Sequence, residues 1–146
     1  LASGGYIGGG LYHSQNLEGS LASIPGVRIV VPSFADDAAG LIRTAMRSEG
    51  PTLFLEPKSL YNSKQAMTPI PENFEVPFGK ARVRRSGADL TVLTYGNTTH
   101  MCLEAAEKCA GDGFDVEVID LRSLIPLDEE AILASIKKTS RCLASK

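Results

Sequence analysis

Val27-Arg28-Ile29-Val30-Val31-Pro32-Ser33 decides how this chain folds. The β-branched run is of strand length and is closed by Pro-Ser. It is too evenly apolar for a half-exposed strand, so it suits the interior of a parallel sheet. Ser33-Phe34-Ala35-Asp36 follows the pattern in which a hydroxyl and a carboxylate cap the first free N–H groups of a helix. Ala38, Leu41, Ile42, Ala45 and Met46 then recur at i, i+3, i+4, i+7, i+8, which is one apolar helical stripe. Gly50-Pro51 stops that helix, and Thr52-Leu53-Phe54-Leu55-Glu56 supplies a second buried strand. Strand, helix and strand at this spacing make a βαβ unit whose crossover is expected to be right-handed.

Upstream, Ser14 to Ser23 reads as a short helix ended by Pro25-Gly26, with Leu17, Leu21 and Ile24 on one face. Downstream, Pro57, Pro69, Pro71 and Pro77 interrupt any pattern, and the βα rhythm restarts only later. Residues 63–79 are therefore expected to link residues 1–62 to residues 80–146. Lys80 to Arg85 alternates like an edge strand, with Arg82, Arg84 and Arg85 expected on its solvent face. Leu90 to Tyr95 is a strand. The helix after Gly96-Asn97 puts Cys102, Ala105, Ala106 and Cys109 on one face. Val116 to Leu121 is the next strand, and Asp128, Glu129 and Glu130 place acid at the start of a further helix. Arg141 to Lys146 looks like a strand beginning. The fold class is α/β, with parallel sheets in three layers.

Composition narrows the function. Hydrophobic residues at 43% and charged residues at 22% describe a globular protein. A net charge of −2 gives no electrostatic reason to expect nucleic acid as a partner. No apolar run reaches membrane-spanning length, so no membrane partner is expected. Cys102, Cys109 and Cys142 leave one thiol unpaired in any disulfide scheme, and reduced thiols favour an intracellular compartment. Gly111-Asp112-Gly113 imitates the opening of a diphosphate-and-Mg²⁺ motif. That motif needs a later Asn for the metal's oxygen shell, and none follows. We read the triplet as a turn. No GxGxxG stands between strand and helix in either half.

Chemistry points to Gly8-Gly9-Gly10-Leu11-Tyr12-His13-Ser14-Gln15. Adjacent glycines permit backbone conformations closed to other residues and a close approach by a ligand. They deliver His13, which can give or take a proton near neutral pH, to the threshold of a helix. A surface loop followed by a capping or packing histidine is the alternative.

In order and spacing, several blocks resemble one family. They are Gly10-Leu11-Tyr12-His13-Ser14-Gln15, Ile24-Pro25-Gly26-Val27-Arg28-Ile29-Val30-Val31-Pro32-Ser33 and Asp37-Ala38-Ala39-Gly40-Leu41-Ile42. Phe54-Leu55-Glu56-Pro57-Lys58 with Leu60-Tyr61 follows, then Val118-Ile119-Asp120-Leu121-Arg122 with Ile125-Pro126-Leu127-Asp128. The family is the β subunit, or β-like half, of the thiamin-diphosphate-dependent 2-oxoacid dehydrogenase E1 component, acting on pyruvate or branched-chain 2-oxoacids. The resemblance implies that residues 1–62 are the C-terminal half of a transketolase-like pyrimidine-binding domain. Residues 80–146 would then be the first part of a truncated transketolase C-terminal domain.

The resemblance also implies a division of labour. The 2-oxoacid is decarboxylated on the cofactor's thiazolium carbon, and the acyl group passes to a lipoyl group of the E2 acyltransferase. His13 would lie beside the reacting carbon as the catalytic residue, with Tyr12 and Gln15 lining the pocket; core packing or a helix cap would explain those two equally. The diphosphate and Mg²⁺ would be held by the E1 α subunit or α half, and a second β copy would complete the assembly. The glutamate that activates the cofactor in this family has no counterpart in the chain, which alone is expected neither to catalyse nor to bind thiamin diphosphate. Some members hold K⁺ on backbone carbonyls matching Ala45, Met46, Ser48 and Gly50, although Ser48 and Gly50 replace an Asp and an Asn common there. A plain helix C-terminus is the other reading of those four. Bacterial cytoplasm and mitochondrial matrix both suit the resemblance. Another transketolase-like thiamin-diphosphate enzyme, and a non-catalytic α/β interaction module, are the competing readings.

Overall fold

The computed structural model of the chain describes residues 1–6, 8–11 and 14–146. Its elements in order are β1 (Ala2–Ser3), α1 (Glu18–Leu21), β2 (Arg28–Val30), α2 (Ala35–Arg47), β3 (Thr52–Phe54), β4 (Glu56–Pro57), β5 (Arg82–Arg85), β6 (Leu90–Thr94), α3 (Asn97–Gly111), β7 (Val116–Asp120), β8 (Ser123–Ile125), α4 (Glu129–Thr139) and β9 (Cys142–Ala144). The βαβ unit forms where the opening stretch places it. β2 and β3 run parallel, with Arg28 opposite Thr52, Ile29 opposite Leu53 and Val30 opposite Phe54. Ile29, Val31 and Leu55 are buried together, with Leu53, Tyr95, Leu124 and Ile125 packed around them.

α2 sits differently from its apolar stripe. Leu41 is fully buried, but Ile42 is 42% exposed and Met46 83% exposed. The inward face is centred instead on Asp37, Gly40 and Leu41, with the Thr44 hydroxyl donating to Val76 O at 2.9 Å. A stripe of apolar residues cannot report a face that is partly acid, glycine and threonine. The capping pattern also resolves otherwise. Phe34 is the N-cap, without a side-chain cap bond, because the Ser33 hydroxyl is spent on Asp120 at 2.9 Å. Residues 63–79 lie over this unit, where Phe74, Val76 and Phe78 pack with Val30, Leu41 and Phe54.

The second sheet has the order β5-β7-β6-β9. β6 is parallel to β7 and to β9, and β5 lies antiparallel along the outer edge of β7. Val92, Ala106, Val116 and Val118 form its core with Leu90, Cys102, Leu103 and Cys109. Ala105, expected on that face of α3, is exposed. Gly87 turns the chain against β7, where a Cβ would stand 2.3 Å from the Glu117 backbone nitrogen. α4 is tied to β6 through the Thr91 hydroxyl, 2.6 Å from Ser135 Oγ and 2.7 Å from Thr139 Oγ1.

Two features depart from the sequence expectation. β5 is the edge strand expected and Arg82 is exposed as expected, but Arg84 is not. Val83 is 49% exposed, whereas the Arg84 side chain is only 8% exposed. Polarity alone points an Arg outward. Here buried carboxylates hold it inward. The second departure is β8, which leaves the second sheet and joins the first antiparallel to β2, giving the order β3-β2-β8. The two halves therefore share a sheet.

Candidate functional site

The glycine-rich stretch is a loop closed at its feet. Ser3 and Ala2 pair in parallel with Pro57 and Glu56, and Gly4 N–H donates to Gln15 O at 3.0 Å. Ser14 N–H donates to Leu11 O at 3.3 Å. Gly4, Gly8 and Gly10 all take positive φ, at 77°, 65° and 68°, so their lack of a Cβ is used. Gln15 is exposed and its carbonyl closes the loop. Tyr12 and His13 lie outside the described residues.

Beside the loop opens a polar cavity of 260 Å³ lined by Ser3, Gly4, Asn16, Glu18, Tyr95 and Thr98, among others. Glu18 is buried, with Oε2 3.3 Å from Lys146 Nζ. Burial, and secondarily the Glu18 charge, pushes the Tyr95 phenol up to about 12, so this hydroxyl stays a neutral donor at physiological pH. The cavity draws its walls from both halves of the chain.

What fixes those walls is a buried ionic cluster between the halves. Asp37 and Asp120 are fully buried. Asp37 accepts from Arg84 and, at 2.8 Å, from Arg122 Nη1. Asp120 accepts from Arg84 Nε at 3.1 Å and Nη2 at 2.8 Å, and from Ser33. Arg122 also donates to Lys80 O and Ala81 O, both at 3.1 Å. Its own carbonyl accepts Val31 N–H at 2.8 Å, which holds the end of β2 beside the cavity. The Arg84 guanidinium lies 3.9 Å over the Phe34 ring, and Phe34 tilts against His100 at 4.6 Å. His100 Nε2 is 2.8 Å from Ser33 O. Each buried charge thus has an opposite partner, and Asp120 and Arg122 have further hydrogen bonds as well, which is what a buried ion pair requires.

At the rim, Asp36 accepts from Thr68 at 2.7 Å and Arg82 at 2.8 Å. Burial works against its charge, but these bonds outweigh it and hold the carboxyl below its ordinary range. A lowered pKa contributes stability above the unfolded-state value and loses it as pH falls through the folded one. The stability gap between the native protein and Asp36→Asn is therefore expected to be widest near neutrality. It should close below about pH 4, as read from denaturant midpoints across pH; a constant gap would show that the charge is not the cause.

The remaining site residues are placed as follows. Ser48 caps α2: its N–H donates to Ala45 O at 3.3 Å and its hydroxyl to Thr44 O at 2.7 Å. Gly50 O accepts from Arg28 Nη2 at 3.0 Å, and Met46 projects into solvent. Glu56 accepts from the Tyr61 hydroxyl at 3.0 Å, and Arg122 is an ion-paired anchor. Asp112 is the C-cap of α3 and Gly113 has φ 84°, so Gly111-Asp112-Gly113 is a turn. No group of three or more His, Cys, Asp or Glu among the described residues could hold a metal ion.

The comparisons with known proteins bear on both halves. Residues 2–64 match the pyrimidine binding domain of transketolase, and residues 79–146 match the transketolase C-terminal domain. Together these two transketolase models account for nearly the whole chain. Its curated relatives include the 2-oxoisovalerate dehydrogenase subunit beta of Bacillus subtilis, 45% identical over 96% of this chain and 42% of the relative. The pyruvate dehydrogenase E1 component subunit beta of the same organism is 42% identical over 94% of this chain and 43% of its own length. The corresponding Staphylococcus aureus subunit is 41% identical over 95% and 44%. The chain thus spans less than half the length of these curated relatives. Among solved structures, a split-gene transketolase described as an inactive β4 tetramer matches with a TM-score of 0.75 at 24% identity, over 90% of this chain and 43% of that one. A mutant transketolase from Pichia stipitis matches with a TM-score of 0.63 at 13% identity, over 92% and 20%. These two support the fold alone.

Asp37, Arg84, Asp120 and His100 escaped the sequence reading. Their pairing spans 36 to 85 residues of sequence, and no local pattern carries it.

Proposed function

We propose that this chain is the β portion of the E1 component of a 2-oxoacid dehydrogenase complex, and that it works only in assembly with an E1 α portion and a second β copy. The observation that carries the reading is 41–45% identity, across 94–96% of the chain, to β subunits acting on two different 2-oxoacids. The reaction is oxidative decarboxylation of the 2-oxoacid with transfer of the acyl group to the lipoyl group of E2. When bound, thiamin diphosphate supplies the nucleophilic carbon and the electron sink for decarboxylation. The α portion holds the diphosphate and Mg²⁺.

This chain's share is positional and protic. The loop from Gly4 to Gln15 is closed at its base and rich in positive-φ glycine, which suits a wall that a ligand approaches closely. His13 is the catalytic residue of this reading, holding or moving the proton exchanged during acyl transfer. Tyr12 and Gln15 line the pocket. The bacterial relatives make the bacterial cytoplasm the proposed location.

Calorimetry and turnover test this reading together. The isolated chain is expected to show no heat of thiamin diphosphate binding. The α-containing assembly is expected to bind it with Mg²⁺ and to acylate lipoyl-E2 from pyruvate or a branched-chain 2-oxoacid. Binding by the isolated chain would place the cofactor ligands here after all. Ketol transfer between sugars without lipoyl acylation would instead assign the chain to another transketolase-like enzyme.

A further inference from the structure

The C-terminal end of α2 carries the partial negative charge of its unpaired carbonyls. In this chain a built-in cation meets it. Arg28 Nη2 donates to the carbonyls of both Glu49 and Gly50, the latter at 3.0 Å. Its Nε donates to Thr52 Oγ1 at 3.1 Å, and its backbone N–H donates to Pro51 O at 3.1 Å. The other face of the guanidinium lies 4.9 Å from the Phe78 ring centre. Gly50 takes φ 82°, a left-handed conformation that fits the tight turn over the arginine. One side chain on β2 therefore gathers the whole turn between α2 and β3.

We propose that Arg28 is the cation of this turn, and that Ala45, Met46, Ser48 and Gly50 consequently hold no potassium ion. Three observations support this. Gly50 O, one of the four oxygens such an ion would need, is already held by a fixed positive charge. Ala45 O accepts the Ser48 N–H, closing the helix internally. The Ser48 hydroxyl is spent on Thr44 O, and neither Ser48 nor Gly50 brings an anionic oxygen to offset a second cation. A monovalent ion seated on the same carbonyls would face the guanidinium at close range, where like charges repel strongly. A planar fork of donors is also better matched than a point charge to two successive carbonyls and a hydroxyl. The proposal does not depend on which 2-oxoacid, if any, the assembly uses.

Thallium, which replaces K⁺ and scatters anomalously, gives the direct test in crystals of the assembled enzyme. No anomalous peak is expected among the carbonyls of Ala45, Met46, Ser48 and Gly50. A peak there overturns the proposal. The second arm is the melting temperature of the assembly in potassium chloride. Arg28→Met is expected to lower it by several degrees, corresponding to a handful of lost charge-assisted bonds. Arg28→Lys, which keeps the charge but not the fork, is expected to fall between, with faster amide exchange across residues 48–52. It also provides the readout if Arg28→Met does not fold. Native melting and exchange in Arg28→Lys and Arg28→Met would show that the turn does not rely on the guanidinium.

Discussion

Under the function proposed, replacing His13 with Ala in the α-containing assembly is expected to slow reductive acylation of lipoyl-E2 by about 10²–10⁴-fold, the usual share of a positioned acid-base group. The effect should fall on kcat rather than on binding of the 2-oxoacid, because a group that handles a proton in the transition state contributes little to the ground state. A tenfold loss corresponds to about 1.4 kcal/mol of barrier, so the expected range is about 3–5.5 kcal/mol. His13→Asn keeps a hydrogen-bonding side chain but removes the titration. It should remain slow. Near-native turnover in both variants would remove His13 from the chemistry and leave the glycine loop a structural one.

The second large effect is on stability. Asp37→Ala is expected to destabilise the protein by about 3–5 kcal/mol, the cost of breaking a buried ion pair from one side. The magnitude follows from what remains. Arg122 loses its only carboxylate partner among the described residues, and Arg84 keeps only Asp120. Water cannot readily replace a carboxylate that is wholly buried. Against a typical total stability of about 5–15 kcal/mol, that loss is severe. Asp37→Asn should cost less, since an amide oxygen still accepts from one guanidinium. Urea denaturation of the purified assembly measures both, and a loss under about 1 kcal/mol for Asp37→Ala would mean the cluster relaxes or hydrates freely.

The sequence carried the parallel framework well and the seam poorly. β2, α2 and β3 were legible because a uniformly apolar strand, a 3.6-residue period and Gly50-Pro51 are local signals. So were β6, α3, β7 and α4. β8 was not legible, since Ser123-Leu124-Ile125 is too short to declare itself and pairs with residues nearly a hundred positions away. Arg84 was misread for a related reason: alternation shows that two faces exist, and the buried acids that choose between them are distant in sequence. At the candidate site, residue type and a family resemblance pointed to His13, whereas Glu18 and Tyr95, which share the cavity, carried no recognisable pattern.

β8 bears on how this protein can be divided. A cut near residue 79 respects the boundary between the two homology regions, yet it would strip a hydrogen-bonded neighbour from β2 and expose that strand's flank. Bare strand flanks recruit other chains. A polypeptide beginning at residue 80 would in turn carry Ser123–Ile125 with nothing to pair against. The unit that can be transplanted or fused intact is the pair of halves together.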